Sequence, residues 1–72
     1  MNVKKTVKIE GMSCSHCVAA VTKAVSGLGG VKSVEVSLEQ KQAVVEFDDA
    51  VVGLAAIKDA IEDQGYDVAG TL

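Results

Sequence analysis

The 72-residue sequence contains no proline and no tryptophan, and Phe47 and Tyr66 are its only Phe and Tyr. A core without large rings has to be assembled from small aliphatic and β-branched side chains, chiefly the Val and Ala that dominate the 49% hydrophobic content. Basic runs are missing as well. The formal charge is −3 and no cationic run exceeds the pair Lys4-Lys5, which argues against a phosphate-binding surface and against nucleic acid as a partner. No apolar stretch approaches the roughly 18 residues of a membrane span. Met1 to Glu10 alternates polar and apolar residues where a secretory signal needs an unbroken apolar run. A cytoplasmic protein with no membrane contact is expected. No linker or low-complexity stretch interrupts the chain, so residues 1–72 read as one domain, of a size that buries only about 60% of its unfolded surface.

What is present is a clear change of period along the chain. Val3, Val7 and Ile9 alternate with Lys4, Thr6 and Lys8 as in a half-buried strand, with Lys5 on the apolar side and expected at an open strand end. Val18, Val21, Val25 and Leu28 then follow at spacings of three, four and three, the apolar stripe of a helix that Gly29-Gly30 should end. Val34, Val36 and Leu38, then Ala43, Val45 and Phe47, resume the alternation on either side of Glu39-Gln40-Lys41 and predict a hairpin. Leu54, Ile57 and Ile61 restore helical spacing up to Gln64, with Gly65 in the position of a C-terminal glycine, and Tyr66 and Val68 open a short last strand. The order β-α-β-β-α-β predicts an α+β, ferredoxin-like sandwich: a four-stranded antiparallel sheet with both helices on one face. That architecture hosts many unrelated functions, so function has to be argued from a site.

One segment offers a site. Gly11-Met12-Ser13-Cys14-Ser15-His16-Cys17 joins the first strand to the first helix, which places two thiols at a loop and a helix N-terminus near the surface. The positive end of a helix favours thiolate, the form that binds soft metals and attacks disulfides. Two intervening residues let both sulfurs converge on one ion, and thiolates select Cu(I), zinc or iron–sulfur centres over hard cations. A closed structural zinc site usually takes four Cys or His ligands, and the chain has two Cys and one His. Two readings compete with metal binding: cysteines that merely pack as small hydrophobes, and a thiol–disulfide oxidoreductase with Cys14 as nucleophile. The lack of Pro and Trp and the short chain weigh against a thioredoxin-type site. A hydrolase is excluded because the single His lies inside the CxxC and cannot also serve a separate nucleophile.

The same seven residues resemble the GMxCxxC signature of heavy-metal-associated domains, found in copper chaperones and in the N-terminal modules of metal-transporting P-type ATPases. The resemblance extends over Gly30-Val31, Val45-Glu46-Phe47-Asp48 and Ile61-Glu62-Asp63-Gln64-Gly65-Tyr66, and its MSCxHC form looks most like bacterial copper chaperones. It implies Cu(I) held by Cys14 and Cys17 on an exposed loop and passed by ligand exchange to a copper-transporting P-type ATPase or a copper-responsive repressor, with no enzymatic activity. It also implies a monomer without metal, with a metal-bridged dimer as a further state. A start at Met1 and an end soon after the last strand lead to the expectation of a free carrier rather than a regulatory ATPase module. Ser13 favours copper, because relatives that carry zinc, cadmium or lead commonly place Asp there. Mercury-binding relatives share the cysteines but carry a signal peptide, which is not seen here, so a mercury- or zinc-binding relative stays as a lesser alternative. Among the neighbours, Met12 is expected to turn into the core, as in the family, rather than ligate. His16 is either a third ligand or a solvated loop residue. Tyr66 either shields the metal loop or is a half-buried edge aromatic.

Overall fold

The computed structural model describes residues 1–12 and 15–71; Ser13, Cys14 and Leu72 lie outside the described residues. The elements run β1 (Asn2–Glu10), α1 (Ser15–Ser26), β2 (Val31–Ser37), β3 (Gln42–Asp48), α2 (Leu54–Asp63) and β4 (Asp67–Thr71). All pairings are antiparallel, in the spatial order β2-β3-β1-β4, which is the expected α+β sandwich.

Side-chain alternation decides which face of the sheet is covered. Val7 and Ile9 of β1 and Ala43, Val45 and Phe47 of β3 are buried, and Val7 stands directly opposite Ala43. Against them pack Val21 and Val25 of α1 and Ile57 and Ile61 of α2, all with no exposed surface. Full burial of an aliphatic side chain of this size stabilises by about 1.5–3 kcal/mol, so this small cluster carries the fold. The intervening residues Lys4, Thr6, Lys8, Val44 and Glu46 look out from the other face of the sheet. No helix among the described residues is long and apolar enough to cross a membrane.

Both helices end by mechanisms that differ from each other. In α2, Gln64 closes the last turn and Gly65 takes φ +94°, its N–H donating to the Glu62 carbonyl at 2.9 Å, as a C-terminal glycine should. In α1 the helix stops at Ser26, earlier than Gly29-Gly30 suggested, and the Gly27 N–H donates back to the Lys23 carbonyl at 3.1 Å. Gly30 serves another purpose. It sits at φ +96°, where a Cβ would come within 2.9 Å of Val51 and Val52, so it lets β2 start beneath the β3–α2 connection.

Lys5 is also placed differently from expectation. It lies in the middle of β1, exposed, opposite Val45. Its exposure has a topological cause: among the described residues β4 flanks β1 only along Val7–Glu10, so the first half of β1 has an open edge there rather than an open end.

Candidate metal centre

The candidate centre is built where β1 hands the chain to α1. Gly11 follows the last residue of β1 at φ +96°, a left-handed conformation that costs a residue with a side chain but not glycine. Its Cα faces the ring of Tyr66, whose Cδ1 would lie 3.6 Å from a Cβ added there. Met12 then turns inward and is 5% exposed, a member of the hydrophobic core. This is the placement expected of it, and it leaves the thioether packed among apolar side chains.

Cys14 falls on the part of the loop outside the described residues. Cys17 is the third residue of α1 and 9% exposed. That is deeper than a loop thiol near the surface. The reason is periodicity: Cys17, Val21 and Val25 occupy successive i, i+4 positions, so the buried row of α1 begins with the cysteine rather than with Val18, which is only half-buried. The i, i+4 spacing is present in the sequence and gives Cys17 a place in the core beside its candidacy as a ligand.

His16 is exposed in the first turn of α1, beside Cys17. Among the described residues no group of three or more His, Cys, Asp or Glu side chains is gathered where an ion could sit. Tyr66 is half-buried and packs against the core immediately before β4, on the flank of Gly11. The structure thus brings Gly11, Met12 and Tyr66 together around the start of the loop, with Cys17 anchoring its far side in the helix. Farther along α1, Lys23 is exposed and shares a shallow depression with Ala20, Ala24 and Gln64.

The profile of the heavy-metal-associated domain matches residues 6–67, which includes the second half of β1, the loop and all of α1. The chain belongs to the heavy-metal-associated domain family. Within that family it is 51% identical over 65 residues to the copper chaperone CopZ of Staphylococcus aureus (strain bovine RF122 / ET3-1), spanning 90% of this chain and 96% of that one. A solved structure of a CopZ metallochaperone superposes with a TM-score of 0.91 at 48% identity, covering 93% of this chain and all of that one. The water-soluble region of the P-type ATPase CopA from Bacillus subtilis superposes with a TM-score of 0.88 at 32% identity. There the match covers 94% of this chain but 45% of the other. This heavy-metal-associated domain is therefore similar both to free-standing carriers and to part of a transporter's soluble region.

Proposed function

We propose that Cys14 and Cys17 bind one Cu(I) as a thiolate pair and that the domain delivers the ion to a partner protein by ligand exchange. The observation that carries this reading is the CxxC placed across the β1–α1 junction, with Cys17 in the first turn of a helix, in a chain half identical to a copper chaperone. Two thiolates are a soft donor set suited to Cu(I). Each thiol gives up its proton to solvent on binding. A thiolate from the partner then adds to the ion, and one bond to Cys14 or Cys17 breaks only after that new bond has formed. A low coordination number keeps that route open.

The partner is a copper-transporting P-type ATPase, supported by the similarity to the soluble region of CopA, or a copper-responsive repressor. The same similarity favours a second reading, in which the chain is itself a regulatory module of such an ATPase. In either setting the domain is a binding protein with no catalytic turnover. It acts in the cytoplasm as a metal-free monomer, with a copper-bridged dimer as a loaded form.

The test is an anaerobic competition titration of the reduced protein, setting Cu(I) against Zn(II) with a chelator for each. Binding of one Cu(I) per chain, with zinc stripped far more readily, is the expected result. Zinc preference would move the protein to another branch of the family. Turnover of a disulfide substrate without metal would replace the carrier by an oxidoreductase.

A further inference from the structure

β1 is nine residues long, and its two edges are used unequally. On one side β3 pairs with it from Asn2 to Lys8; on the other β4 pairs only with Val7–Glu10. The Ile9 N–H points to the β3 side, where it donates to the Lys41 carbonyl at 2.9 Å. Backbone direction alternates along a strand, so the N–H and C=O groups of Asn2 and Lys4 point to the β4 side. Among the described residues no strand lies beside them; the described pairing with β4 extends to Thr71, opposite Val7.

This open stretch carries the longest run of positive charge in the sequence. Lys4 projects from the uncovered face of the sheet and Lys5 from the helix-bearing face, both exposed. Neither forms an ion pair among the described residues, although Glu46 stands opposite Lys4 in the register. Two ammonium groups, one on each face, repel the same edge of a second copy, which is how edge strands are kept from pairing with themselves. They leave one kind of strand acceptable.

We propose that residues 2–5 of β1 form a docking edge for an extended acidic segment of a partner protein, which adds to the sheet in line with β4. The backbone of Asn2 and Lys4 supplies the hydrogen bonds, and consecutive acidic side chains of the incoming strand meet Lys4 and Lys5 on opposite faces. The edge lies at the start of β1 and the candidate metal loop follows its end, so the docked segment tethers a partner without covering that loop.

The probe is the capped peptide Thr-Val-Glu-Glu-Val-Thr, titrated into the isotope-labelled reduced protein and followed by backbone amide shifts and hydrogen exchange. Shifts centred on Asn2 to Thr6, with new protection of the Lys4 amide, are expected. Replacing both glutamates of the peptide by glutamine, or making the Lys4→Gln/Lys5→Gln variant, should weaken binding about tenfold. The Cys14→Ser/Cys17→Ser variant should bind the peptide as the parent does, which separates this edge from the metal reading. Shifts that map elsewhere, indifference to the glutamate-to-glutamine change, or self-association of the free protein through this edge would each overturn the proposal.

Discussion

Gly30 and Val51 approach so closely that a Cβ on the glycine would lie 2.9 Å from the Cβ and Cγ1 of the valine. Val52 Cγ1 is equally near, and the Gly30 carbonyl accepts the Asp48 N–H at 2.8 Å, so the backbone there cannot retreat without breaking the tie to β3. The positive φ of Gly30 adds a conformational cost for any other residue. Gly30→Ala is expected to destabilise the fold by about 1–3 kcal/mol. Urea unfolding measures this, and the Cu(I) affinity of the folded variant should not change.

Met12 is assigned to the core by its burial. Met12→Leu should then keep stability within about 1.5 kcal/mol and leave Cu(I) affinity as it was. Met12→Ala should cost about 2–5 kcal/mol. A loss of Cu(I) affinity in the leucine variant, with its stability intact, would return Met12 to the list of ligands.

Cys17 has two roles that different substitutions separate. Its side chain extends the buried row Val21–Val25, so Cys17→Ser places a hydroxyl in apolar surroundings at a cost of about 1–3 kcal/mol. Cys17→Ala avoids the hydroxyl and should be the more stable of the two. Both should lose tight Cu(I) binding in the competition titration. Retention of full affinity in either would refute the thiolate pair.

Asp48 links stability to pH in two directions. Its carboxylate accepts the Ala50 N–H at 3.0 Å and the Met1 ammonium at 3.0 Å, which hold it below its ordinary value of 3.8. A lowered carboxyl contributes stability above the unfolded value and loses it as pH falls through the folded one. The Met1 ammonium, raised above 8.0 chiefly by its hydrogen bond to Asp48, contributes below 8.0 and loses that contribution as pH rises through its folded value. Asp48→Asn should therefore show its largest deficit between these limits, shrinking in acid and in base. Denaturation midpoints of parent and variant across pH would check this, and added salt should reduce the ionic part.

The strands were legible because one face of the sheet is buried, and burial imprints alternation: Ala43, Val45 and Phe47 point inward as their spacing required. The end of α2 was legible because Gly65 acts locally, on its own helix. The end of α1 was not, because the demand for glycine at position 30 comes from Val51 and Val52, about twenty residues away. Lys5 was misplaced for a similar reason, since the length of β4 decides how much of β1 is flanked. At the candidate site, the residue types announced chemistry but not depth. Whether a cysteine near a helix start is exposed depends on its phase against the valines that follow, and Cys17 is in phase with Val21 and Val25.

The nearness of Tyr66 to Gly11 has a practical consequence. With no tryptophan in the chain, Tyr66 is the sole fluorophore of any strength, and its ring lies beside the first residue of the loop that carries Cys14. Emission from the unlabelled protein therefore originates beside that loop. Changes at the candidate metal centre can be followed optically against a background that the rest of the molecule leaves dark.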